Sequence, residues 1–207
     1  MNINLTNQDF VVKDGFLNIN INIALDKLME NGLVKLGDVS PGTVINDRYI
    51  VLEHFENGGT AVITKDLLEK RLDFGNNNNF NGSKVDTYLN GEYLEECMKE
   101  FCENQILEHE VDLLSLDGMD DYGKITRKIS LLTIDQYRKY RKILGKNMSN
   151  WWWLATPHST PSGYSAVFVQ CVNSGGLVYY DNDGYTRGLR PFCILRSSIF
   201  VSVSPEA

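Results

Sequence analysis

No C-x-x-C pair occurs in this chain, and its three histidines, His54, His109 and His158, stand far apart, so a zinc cluster has no sequence support. Positive charge is short as well: 20 basic residues face 27 acidic ones, a net charge of -7 that opposes binding to a phosphate backbone. Nucleic acid is therefore not an expected partner. No apolar run is long enough to span a bilayer, and the opening residues, Met1 to Asn7, have neither a basic n-region nor an apolar h-region. The expectation is synthesis in the cytoplasm with no signal peptide and no membrane insertion. Cys97, Cys102, Cys171 and Cys193 are expected to be reduced; the last two lie in separate apolar segments, where a small buried thiol is common, and a bridge between them stays open.

A chain of 207 residues that is 43% hydrophobic can bury a substantial core, and its patterning is that of one domain with an N-terminal extension. Residues 18–23 alternate asparagine and isoleucine as a strand with one buried face does, and residues 24–31 read as a short helix closed by Gly32. We assign residues 1–34 to an arm able to dock on a larger assembly by adding to a sheet edge, and residues 35–207 to the main domain. That domain opens with a hairpin, Tyr49 to Phe55 and Thr60 to Thr64 around Asn57-Gly58-Gly59. The tract Gly75 to Asn79 is a loop by composition.

Two helices come next. Ser83 and Asp86 form a capping pair ahead of an apolar stripe at Val85, Tyr88 and Leu89, extended by Leu94, Met98 and Phe101 beyond a break at Gly91. Thr133 and Gln136 form a capping box for a second helix, whose face of Tyr137, Tyr140 and Leu144 ends at Gly145. The basic cluster Arg138, Lys139, Arg141, Lys142 and Lys146 is read as a solvated face favoured by the helix dipole. Strand signals come last, at 166–172, 177–180, 189–195 and 199–203, which is an α+β order.

The aromatic run Trp151-Trp152-Trp153 cannot face one way on a strand, since successive side chains alternate. Trp152 is expected in the core and one neighbour partly exposed, with Trp151 and Trp153 as candidate sugar-stacking residues. Arg190, inside an apolar segment, needs a buried carboxylate or backbone carbonyls and is read as structural, together with Trp152 and Pro191. Tyr179-Tyr180-Asp181-Asn182-Asp183-Gly184-Tyr185-Thr186-Arg187 mixes rigid amphipathic rings with hydrogen-bonding groups, the chemistry of a binding surface. Tyr164, Tyr179, Tyr180, Asp181, Asp183, Tyr185 and Arg187 are thus, with the two tryptophans, the ligand-binding candidates. Asp181-Asn182-Asp183-Gly184 resembles part of a calcium loop, but Phe192 stands where the loop needs glutamate, so a turn is expected and no metal.

Four segments in fixed succession, Ser83 to Asn90, Ser130 to Thr133, Trp152 to Pro157 and Gly188 to Pro191, resemble an uncharacterised family of bacterial and phage proteins. The resemblance spans residues 35–203. It implies a C-type-lectin-like fold of small twisted antiparallel sheets with two packed helices and a long irregular connection between late strands. In phage relatives of that fold this surface binds host receptors. The family pattern Trp-Trp-Leu-Arg-Ser-Pro is altered here, Ala155 replacing the arginine and Thr156 the serine. The resemblance implies a non-enzymatic phage or prophage virion protein, capsid- or tail-associated, that needs no cofactor and binds a cell-surface glycan or protein; the arm, which lies outside the resemblance, would then dock it on virion assembly proteins. Homo-oligomers fit this picture. The alternatives are a soluble bacterial ligand-binding or regulatory module and, because the fold is similar to that of formylglycine-generating oxidases, a cysteine-dependent oxidase. In the last case Cys171 and Cys193 would react, although their apolar settings disfavour a thiolate. A hydrolase built on His158 and Ser159 has only their adjacency behind it.

Overall fold

The computed structural model describes residues 10–13, 16–19, 32–145 and 148–203. Strands β1 (Phe10–Lys13) and β2 (Phe16–Ile19) form an antiparallel hairpin with Phe10 opposite Ile19. Of the strand expected at 18–23 only residues 18 and 19 are described, at the end of β2, and residues 20–23, like the helix expected at 24–31, lie outside the described residues.

The body begins with β3 (Leu33–Lys35), β4 (Val44–Ile45), β5 (Tyr49–His54), β6 (Gly59–Thr64) and β7 (Arg71–Leu72). Helices α1 (Lys84–Leu89) and α2 (Glu92–Glu100) come next, then β8 (Ile106–Leu107), β9 (His109–Asp112), β10 (Lys124–Arg127), β11 (Ile129–Ser130) and α3 (Ile134–Tyr140). The chain closes with β12 (Trp152–Pro157), β13 (Phe168–Val172), β14 (Val178–Asn182), β15 (Arg187–Gly188), β16 (Phe192–Arg196) and β17 (Phe200–Ser202). The architecture is α+β, made mostly of small antiparallel sheets.

Sheet assembly is not sequential. The largest sheet has the order β11-β16-β6-β5-β4, with β8 also on β16, so the early hairpin pairs with a strand more than a hundred residues later. A second sheet runs β14-β13-β12-β15-β7, and β17 closes on β3, which places Leu33 and Val34 in the body rather than in the arm. The apolar segment expected as one strand over 189–195 is interrupted, because Leu189 to Pro191 leave β15 and cross to β16 in the other sheet.

The central strands of both large sheets are buried on both faces. Along β12, Trp153 and Ala155 join a core with Phe74, Phe80, Val85, Leu89 and Tyr93, whereas Trp152 and Leu154 join a core with Tyr137, Tyr140 and Leu144. In β5, Tyr49 and Val51 face the first core and Ile50 and Leu52 the second; Cys193 and Phe192 divide in the same way on β16. Helices α1 and α2 thus cover one side and α3 the other, and strands covered on both sides carry near-continuous apolar runs instead of alternating ones.

The helices start where their capping residues stand. Ser83 Oγ accepts from the Asp86 amide at 3.0 Å, and Thr133 with Gln136 completes the reciprocal box, at 3.3 and 2.9 Å. The buried Asp86 carboxylate receives both Arg127 Nε and Nη2 at 2.8 Å, while Asn90 bonds the Ile129 amide and carbonyl, locking α1 to β11. Thr156 Oγ1 accepts from the Ile134 amide at 2.9 Å, and Gly188 sits where a Cβ would meet Leu67 Cδ1 at 2.7 Å. Residues of the segments 83–90, 130–133, 152–157 and 188–191 therefore hold the scaffold together. On α3, Arg138 pairs with Asp135, Lys139 with Glu53, and Arg141 donates to the Gly145 carbonyl, in keeping with an outer basic face; Lys146 lies outside the described residues.

Candidate functional site

Strand β14 ends the second sheet, and its exposed side chains form two clusters. In the register Cys171 opposite Tyr179 and Gln170 opposite Tyr180, the two tyrosines project to opposite faces. On one face Tyr179 packs on Trp151, ring centroids 5.3 Å apart. Arg187 reaches over the same indole at 5.2 Å and lies 5.5 Å from the Tyr185 ring centroid. Asp181 fixes that guanidinium, accepting from Arg187 Nε at 2.8 Å and from its Nη2. Trp151 is half-buried, and Tyr179 and Tyr185 are 46% and 57% exposed, so the cluster offers rigid aromatic area around an oriented cation.

On the opposite face Tyr180 stacks on His158 at 4.2 Å and meets Phe168 edge-on at 5.4 Å. His158 Nδ1 lies 2.9 Å from Nε2 of the buried Gln170, so the imidazole is held in a strand-side stack. One continuous tyrosine surface therefore does not exist: strand alternation divides it.

Two expected site residues are removed by burial. Trp153 is fully buried, edge-on to Phe74, with Nε1 donating to the Leu72 carbonyl at 3.0 Å, so no ligand can stack on it. Alternation leaves one face wet only where a sheet is covered on one side, and both faces of β12 are covered. Asp183 is also buried; desolvation raises its carboxyl pKa against the Gly184 amide that lowers it, and its backbone bonds Phe74 and Val167. The Asp181 to Gly184 stretch closes as a turn, with Asn182 Oδ1 accepting from the Gly184 amide at 2.9 Å. Tyr164, 84% exposed, stands in a separate loop whose amide bonds Ser159 Oγ.

Arg190 is buried without an ion-pair partner among the described residues. Its guanidinium donates to the carbonyls of Thr64, Leu144 and Lys65 at 2.9, 3.5 and 3.2 Å and lies over Trp152, and burial lowers its pKa to about 10. Trp152 and Pro191 are likewise interior.

A residue with no sequence signal proves central to this end of the sheet. Asn78, in the middle of the asparagine tract, is fully buried; its Nδ2 donates to Ser159 and Phe168 carbonyls at 2.8 and 2.9 Å, and its Oδ1 accepts from Tyr122 Oη at 2.8 Å. It fastens the long connection between β12 and β13 beneath the His158 stack. Its neighbours Asn77 and Asn79 only cap local turns, and nothing in a run of identical residues marks the interior one.

The cysteines are free. Cys171 and Cys193 stand in different sheets, and burial pushes the Cys171 thiol up to about 12 and Cys193 upward as well, so both favour the protonated, unreactive form. The cleft lined by Arg48, Lys70, Glu92 and Glu96 has these charges paired, Arg48 with Glu96 at 2.8 Å and Lys70 with Glu92 at 2.7 Å. Among the described residues no group of His, Cys, Asp and Glu is arranged to hold a metal, and no helix is long and apolar enough to cross a membrane. Comparison of the chain with protein-family models, curated proteins and solved structures finds no match in any of the three.

Proposed function

We propose that the chain is a non-enzymatic, ligand-binding domain of C-type-lectin-like fold carried by a phage- or prophage-encoded virion, and that Trp151, Tyr179, Tyr185 and Arg187 meet a glycan or protein on a cell surface. The observation that carries the binding reading is the exposed aromatic cluster around an Arg187 already oriented by Asp181. Rigid rings with few torsions contact a partner at low entropic cost, and a prearranged guanidinium adds directed donors. A pyranose face or a protein side chain fits such a platform equally well. The C-type-lectin-like identity and the virion setting in this proposal rest on the sequence resemblance alone.

Quantitative mass spectrometry of particles purified from an induced culture tests that setting. Enrichment of the chain in particles is the expected result, and its copy number would separate an abundant coat from a few receptor-binding tips. Abundance in the cell lysate with absence from particles would overturn the virion reading and favour a soluble binding module.

A further inference from the structure

The outer edge of β14 is free over a short, bounded stretch. Asp183 donates to the Val167 carbonyl and Asn173 to the Leu177 carbonyl, both at 2.9 Å, which fixes the alternation along the ladder between them. Asp181 and Tyr179 therefore bond inward to β13, and the amides and carbonyls of Val178, Tyr180 and Asn182 point outward. Asn182 is already satisfied: its amide donates to Asp181 Oδ1 at 3.0 Å and its carbonyl accepts from the Tyr185 amide at 2.9 Å. At the other end the Gly176 carbonyl accepts from Tyr137 Oη at 2.6 Å, and its amide donates to Asn173. Only Val178 and Tyr180 are left, offering two donors and two acceptors.

We infer that this edge pairs with the same edge of a second copy, antiparallel, across a two-fold axis at Tyr179. In that register Val178 faces Tyr180 of the second copy and the reverse, so each of the four free groups finds a partner. Gly176 then faces Asn182 of the second copy, two positions that need no further bonds. A register centred on Tyr180 instead would pair the free Val178 with the already satisfied Asn182 and leave its groups unmatched.

The side chains agree with the backbone. Leu177, Val178, Tyr179 and Tyr180 are all exposed, at 59%, 37%, 46% and 54%, and none carries a charge. An exposed edge without lysine, proline or a bulge lacks the usual protection against pairing. The outer strands elsewhere in the two large sheets, β4, β7 and β11, have two residues each against five in β14. Pairing would join two five-stranded sheets into one and set the two Trp151 clusters side by side on a single face. This inference is independent of what the clusters bind.

Disulfide trapping of the full chain tests the register, in a Cys102→Ser background because Cys102 is the exposed cysteine among the described residues. Directly opposed positions that do not exchange backbone bonds lie about 4.5 Å apart at Cα, within disulfide reach. Tyr179→Cys is expected to give a covalent dimer on mild oxidation, and Tyr180→Cys, which faces Val178, is not. Sedimentation should show the wild-type chain as a dimer at rising concentration, with Tyr179→Lys weakening it at least about tenfold by setting two ammonium groups face to face. Circular dichroism checks that each variant is folded. A wild-type chain that stays monomeric, a Tyr179→Lys variant that dimerises as wild type does, or cross-linking at 180 instead of 179 would overturn the inference.

Discussion

Trp153→Ala is expected to destabilise the fold by about 4 kcal/mol, far more than the same change at Trp151. The ring is fully buried between Phe74 and the neighbouring apolar side chains, and its removal leaves a cavity that a close-packed core fills poorly. The Leu72 carbonyl also loses its donor. By contrast, Trp151→Ala removes a half-buried ring that touches Tyr179 and Arg187 and should cost only about 1 kcal/mol. Urea denaturation of the two variants under identical conditions separates them. Equal losses would contradict the assignment of Trp153 to the core and Trp151 to the surface.

Acidification from pH 7 to pH 4 is expected to remove about 3 kcal/mol of stability through His109 alone. The side chain is buried, its Nε2 lies 2.8 Å from Ser130 Oγ, and Phe192 meets the ring edge-on at 5.1 Å. Burial lowers its pKa from 6.5 to about 4. The unfolded chain therefore takes up the proton first as the pH falls. The stabilisation is complete above pH 6.5, is lost progressively below it, and is gone near pH 4. His109→Gln cannot titrate in this window and should flatten the dependence between those limits. Denaturation midpoints at about pH 7, 5.5 and 4 for both chains measure the difference. Parallel curves would show that His109 does not carry it.

Local signals in the sequence translate well into structure wherever a few neighbouring residues decide the outcome. Ser83 and the Thr133–Gln136 box start their helices, and the hairpin around Asn57 to Gly59 forms as its turn residues dictate. Four features are not legible, three of them because they depend on long-range packing. Alternation along β12 separates Trp152 from Trp153, but whether each side is wet or covered depends on α1, α2 and α3. The same alternation splits Tyr179 from Tyr180, so a surface drawn from consecutive residues becomes two. Asn78 is chosen from its tract only by carbonyls of residues 159 and 168, which reach it through the fold. Pairing of β6 with β16 is likewise set by which buried edges remain, not by proximity along the chain.

Attachment of the purified chain to intact cells and to isolated envelope glycans from candidate host strains tests most directly whether the Trp151, Tyr185 and Arg187 cluster is a binding surface. Wild-type protein is predicted to bind saturably to at least one of them. The Trp151→Ala, Tyr185→Ala double variant, folded by circular dichroism, is predicted to lose at least about tenfold in affinity, the loss of one or two aromatic anchors. Saturable binding that the double variant retains in full would contradict the assignment.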